Sequence, residues 1–169
     1  NIALTSPERG AGPYVRVSGV ASYAITDAAK NMIDSDPTTY WEWVEGVKSE
    51  TIASRRITMD LGGLFFINRV RLIVSDPGHY PDQLDVNLDL GVQKLDSVSG
   101  YGSAQVSGRQ VVELNENTQD TIDVSFPSGL ARSVGLLMWR KANPNAIKVG
   151  EIEVYGEGYT DNASFTSAF

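Results

Sequence analysis

RRITMDLGGLFFINRVRLIV, Arg55 to Val74, decides the fold because it alternates. In its first part Ile57, Met59 and Leu61 point one way and Arg56, Thr58 and Asp60 the other; beyond Gly62 and Gly63, Val70, Leu72 and Val74 alternate again. A period of two marks a strand with one face in a core and one in water. Reading onward, LDVNLDL puts Leu84, Val86, Leu88 and Leu90 on one face and Asp85, Asn87 and Asp89 on the other. YVRV (14–17), RQVVEL (109–114), DTIDVSF (120–126), SVGLLMW (133–139) and EIEVY (151–155) extend the pattern. Turn residues separate the segments: GG at 62 and 63, DPG at 76–78, SGYG at 99–102, PSG at 127–129 and NPN at 143–145. About eight strands so punctuated predict an all-β chain, an antiparallel sandwich or barrel. Only TDAAKNMID, Thr26 to Asp34, has helical spacing, with Thr26 as N-cap and Ala28, Ala29, Met32 and Ile33 as its apolar side.

With 169 residues the chain is long enough to bury roughly 70% of the surface its unfolded form exposes. No cysteine is present, which removes disulfides, thiolate zinc sites and cysteine nucleophiles together. A net charge of −7 repels polyphosphate, and the scattered Lys and Arg form no basic stripe, so nucleic acid is not an expected partner. No apolar run reaches the ~20 residues that span a bilayer, and residues 1–10 lack the basic start and apolar middle of a signal peptide. The chain reads as a segment of something longer. TDNASFTSAF, residues 160–169, reads either as a disordered tail or as the first strand of a following domain.

Catalytic constellations are thin. The single histidine, His79, cannot build a multi-imidazole metal site, and no serine sits in a G-x-S-x-G elbow. GYGSAQ and GAGPYV are glycine-rich, but neither lies between a strand and a helix as a phosphate loop must. Asp34 and Asp36 are two residues apart in one turn, whereas glycoside hydrolysis needs carboxylates on opposite sides of the scissile bond. The expectation is a protein that is not an enzyme.

NMIDSDPTTYW, Asn31 to Trp41, crowds oxygen atoms into one turn. Such a turn suits a hard cation, since calcium takes ~6 to 8 oxygens and accepts carboxylates, carbonyls and hydroxyls alike. It equally suits an Asx-turn in which Asp34 and Asp36 satisfy backbone N–H groups without a metal. An oxygen donor from elsewhere in the chain would favour the cation.

NMIDSDPTTYWEW, then RRITMDLGGLFFINRVRLIV, then VGEIEVYGEGY resemble in order and spacing the discoidin family. These are the coagulation factor V/VIII type C domains, which include family 32 carbohydrate-binding modules. Their pattern is a D-G-D-x-x-T-x-W turn, an I-x-x-D-L-G strand followed by I-x-x-V-x-L, and a closing E-I-E-V-Y-G. The resemblance covers residues 1–159 and implies an eight-stranded antiparallel β-sandwich jelly roll of the galactose-binding-domain type. It also implies a structural Ca2+. Asp34 would give a carboxylate, Asn31 and Asp36 main-chain carbonyls, Thr39 its carbonyl and hydroxyl, Gly150 a carbonyl and Glu151 a carboxylate. Two positions depart from the pattern: Ser35 replaces the turn glycine, and Gly150 stands where alanine is usual.

Family ligand sites lie on loops at one end of the sandwich. The corresponding loops here offer Tyr23, Trp43, His79, Tyr80, Gln83, Trp139, Arg140 and Asn143. Sugar recognition needs an aromatic face for the apolar side of a pyranose and planar polar groups for its hydroxyls. Trp41, directly after the turn, reads as a core anchor, and Trp43 as the start of an exposed connecting loop. The leading expectation is a non-catalytic, calcium-stabilised carbohydrate-binding module of a secreted or cell-surface protein, with glycan and neighbouring domains of its own chain as partners. A structural or protein-binding spacer is the second reading. Membrane binding is third, because the acidity disfavours anionic lipid.

Overall fold

A computed structural model describes residues 14–18, 31–43, 54–90 and 108–158. Among them seven strands form: β1 (Tyr14–Ser18), β2 (Trp41–Trp43), β3 (Ser54–Val74), β4 (Gln83–Asp89), β5 (Arg109–Leu114), β6 (Thr121–Trp139) and β7 (Ile147–Gly158). Every pairing is antiparallel, in the order β2-β7-β3-β6-β4-β5, with β1 on β3.

The long strands β3 and β6 each serve two layers. Residues 54–60 of β3 pair with 133–139 of β6, and the register then shifts between Asp60 and Phe65. Beyond it, 65–73 of β3 pair with 121–131 of β6 and with β7. One layer therefore holds β1, the start of β3, the end of β6, β4 and β5. The other holds β2, β7, the end of β3 and the start of β6. A strand that crosses between packed sheets must bend, and bulges with glycine supply the bend. Gly62 supplies it with φ 74°, its N–H accepted by the Asp60 carboxylate at 2.9 Å.

This geometry corrects the strand count. GG at 62–63 and PSG at 127–129 bend continuous strands instead of reversing the chain, which merges four expected strands into two, and with β2 added the described residues hold seven. WEW at 41–43, read as the entry to a loop, is β2, paired with β7 from Val149 to Ile147. The expected helix begins outside the described residues, and Asn31–Ile33 form a single 3₁₀ turn.

The core lies between the layers. Ile57, Met59, Leu84, Val86, Leu136 and Met138 from one side meet Val70, Leu72, Ile122, Val149, Ile152 and Val154 from the other, all buried in one cluster. Each contributes ~1.5–3 kcal/mol by leaving water. Met32 and Ile33 join the same cluster and pin the acidic turn to the sandwich.

Candidate functional site

The acidic turn is built inward from those two anchors. Asn31 donates its side-chain N–H to the Tyr40 carbonyl at 3.2 Å, closing the segment end to end. Asp34 accepts the Asp36 N–H at 2.9 Å on one carboxylate oxygen and the Thr39 hydroxyl at 2.8 Å on the other. Asp36 turns its own carboxylate onto Thr38, accepting N–H at 3.0 Å and Oγ1–H at 2.6 Å, and these bonds hold its pKa below the usual carboxylate range. Its main-chain oxygen accepts the Thr39 N–H at 3.1 Å. Asp34 and Asp36 thus both accept backbone N–H groups of the turn, as Asx-turns require.

From the other end of the chain comes Glu151. It is 4% exposed, and its Oε2 accepts the Ser35 N–H at 3.0 Å across a sequence separation of 116 residues. Ser35 holds φ 67°, the left-handed conformation that glycine adopts freely. The second oxygen of Glu151, Oε1, is buried with no hydrogen-bond partner. Burial pushes this carboxyl up to about 7; Asp34, Glu153 and Asp36 push in the same direction and the Ser35 N–H opposes them. Gly150 lies in a slot where a β-carbon would meet the Pro37 carbonyl oxygen at 3.0 Å. The closing strand thus reaches the turn at two successive residues.

A hard cation suits this donor set. Two carboxylates, one with an unpartnered buried oxygen, sit among main-chain carbonyls and a threonine hydroxyl, all hard oxygen donors. Among the described residues no three acidic, histidine or cysteine side chains converge as a metal cluster. A cation here would draw most of its shell from Asn31, Asp36, Thr39 and Gly150.

At the loop end, the segments 75–82 and 140–146 are sewn together. Asp82, 8% exposed, accepts three consecutive backbone N–H groups, from Lys141, Ala142 and Asn143. Asn143 donates its side-chain amide to the Gly78 and Tyr80 carbonyls, each at 2.9 Å. His79 Nδ1 lies 2.7 Å from the Ala146 carbonyl, and the Lys148 N–H donates to the His79 carbonyl at 3.0 Å.

The predicted ligand residues divide accordingly. Tyr23 lies outside the described residues. Trp43 is not exposed: at 2% it is a core residue of β2, with the Arg55 guanidinium 4.8 Å from its ring centre and Arg140 at 5.9 Å. The reason is β2, which turns Trp41 and Trp43 to the core and Glu42 outward. Arg140 is buried and donates to the Asn145 carbonyl at 3.2 Å. His79 and Asn143 serve loop architecture. Tyr80 packs partly on the core, while Gln83 and Trp139 stand opposite one another across β4 and β6, half-buried. The sequence reading missed Asp82, whose place in a loop gave no signal of its three-fold capping role.

No family model and no curated protein matches this sequence. Solved structures do. Chitosan-binding module 2 of a Paenibacillus sp. IK-5 chitosanase/glucanase, solved with chitotriose, superposes with a TM-score of 0.64 at 19% identity, over 92% of this chain and 100% of its own. The fold is the galactose-binding-like jelly roll. CpGH89CBM32-5 of Clostridium perfringens, solved with GalNAc-β-1,3-galactose, shares this jelly roll with a TM-score of 0.61 at 16% identity, over 88% of this chain and 97% of its own. A Ruminococcus gnavus GH29 fucosidase contains the same jelly roll within a larger chain: TM-score 0.64, 23% identity, 96% of this chain and 27% of the fucosidase.

Proposed function

We propose that this chain is a non-catalytic carbohydrate-binding module of a larger secreted or cell-surface protein, held together by a structural Ca2+. One observation carries the reading: the chain overlaps almost end to end with jelly rolls that are themselves sugar-binding modules. The loop end supplies the rigid frame such a function needs, because Asp82 and Asn143 fix two loops before any ligand arrives. Tyr80 and Trp139 offer aromatic surface, and Gln83 a planar amide. Calcium would neutralise the carboxylates of Asp34 and Glu151 and clasp the early turn to β7.

Saturation-transfer NMR with chitotriose, with GalNAc-β-1,3-galactose and with mixed polysaccharide hydrolysates tests the binding. Transfer to sugar protons that weakens in Tyr80→Ala fits the reading. A folded, calcium-loaded chain that transfers to none of them removes it. The second reading, a spacer or protein-binding module, is favoured by one feature: Trp43, Arg140 and Asn143 are spent on the chain's own structure.

A further inference from the structure

β4 runs from Gln83, opposite Trp139 at the loop end, to Asp89, opposite Ser133. At ~3.3 Å per residue its two ends lie ~20 Å apart. At the far end the close of β4, the start of β5 and the bend in β6 leave a cleft of about 620 Å³, open to solvent, whose lining includes Leu88, Leu90, Leu130, Asp89, Arg109 and Ser128. No residue of the loop end borders it. Its wall is aliphatic: Leu90 is 60% exposed and Leu130 half-buried.

Arg109 opens β5 directly opposite the buried Leu88, and residues so paired share a face of the sheet. At the strand end that face gives onto the gap between the layers, which Arg109 crosses to reach the bend of β6. A β-carbon on Gly129 would stand 2.6 Å from Arg109 Nη2 and 2.7 Å from Leu88 Cδ1, so the glycine is the floor on which the guanidinium lies. The head group is thereby positioned while the residue stays exposed. Among the described residues the ion pairs use Arg69, Arg71, Arg132 and Lys148, and none includes Arg109. The Asp89 carboxylate bears on Arg56 instead. In a chain of net charge −7, an exposed cation seated beside leucines is suited to a ligand from outside.

The geometry points to a second binding site in this cleft, for a ligand that carries a single carboxylate on a body with an apolar C–H face. The planar fork of a guanidinium matches a carboxylate with two parallel N–H···O bonds. Ser128 adds a hydroxyl at the rim, and the leucines take the C–H face. Phosphate suits the cleft less, because its second charge meets Asp89 with one arginine to offset it. A neutral saccharide leaves the guanidinium unused. Two sources supply the shared chemistry: a hexuronic acid of an acidic polysaccharide, which rests on the carbohydrate reading, and an aliphatic carboxylic acid, which does not.

The test follows the Arg109 Nε–H and the Leu88 and Leu130 methyls by NMR while trigalacturonic acid, hexanoate and chitotriose are titrated separately into the calcium-loaded chain. Calorimetry gives affinities for the parent, Arg109→Gln, Gly129→Ala and Tyr80→Ala. Trigalacturonic acid or hexanoate should shift Arg109 and the methyls, bind about tenfold more weakly to Arg109→Gln and Gly129→Ala, and bind Tyr80→Ala as tightly as the parent. The new methyl of Gly129→Ala meets only side-chain ends, so that variant keeps the fold, displaces the guanidinium and carries the result should Arg109→Gln fail to fold. Hexanoate held at Arg109 with no saccharide bound anywhere supports the site and removes the carbohydrate reading. Chitotriose bound through Tyr80, with Arg109 unmoved by either carboxylate, overturns the site and leaves the module intact. Silence from all three compounds overturns both.

Discussion

Ser35 and Gly150 place opposite demands on the acidic turn and the strand against it. Ser35 sits at φ 67°, a conformation that costs a residue with a β-carbon ~1–2 kcal/mol. Ser35→Gly should therefore gain about 0.5–1 kcal/mol in urea unfolding after the added chain entropy of glycine is subtracted, because the N–H that Glu151 accepts is unchanged. A loss of stability would contradict the assignment. Gly150→Ala runs the other way. Its β-carbon would lie 3.0 Å from the Pro37 oxygen and 3.3 Å from the Ser75 nitrogen, both backbone atoms that move only with their chain segments. A cost of ~1–3 kcal/mol is expected, together with weaker calcium affinity by calorimetry. At this scale the sequence was legible where chemistry is local: Asp34, Asp36 and Thr39 bond as their spacing suggests. It was opaque where an environment decides. Trp43 was assigned to a loop because three residues are too few to show a period, and pairing with β7 places it in the core.

Strands were legible as alternation, but not where one strand ends. GG at 62–63 carries the turn composition of a chain reversal, and only pairing on both sides shows that β3 passes through it from one layer to the other. The loops show a similar gap, since the sequence brought 75–83 and 139–146 to one end without revealing that Asp82 joins them. Asp82→Ala leaves three backbone N–H groups, those of Lys141, Ala142 and Asn143, without their acceptor. It should cost ~1–3 kcal/mol and raise amide exchange at 141–143 well above that of β6. Unchanged exchange at those amides would show that the loop is held by other contacts.

Across the whole molecule the acidic turn is tied to β7 over a sequence separation of 116 residues, and Glu151 makes that tie sensitive to pH. Its carboxyl stands at about 7 in the fold against 4.5 for a free glutamate. Between those values the folded state holds the proton more tightly, so metal-free stability is full below about 4.5 and falls as pH rises through about 7. Calcium replaces the proton. Melting curves in EDTA should show Tm decreasing from pH 5 to 8, and saturating calcium should remove the decline and raise Tm at pH 8. A flat profile that calcium does not move would dismiss both the cation and the buried carboxylate as its ligand.

Binding of glycan is the central claim, and the most direct measurement is a broad glycan array probed with the calcium-loaded chain beside Tyr80→Ala and Gln83→Ala. Reproducible binding to a related set of saccharides, reduced in at least one folded variant, is the predicted result. Silence across the array from a folded, calcium-loaded chain would contradict it and leave the spacer reading in its place.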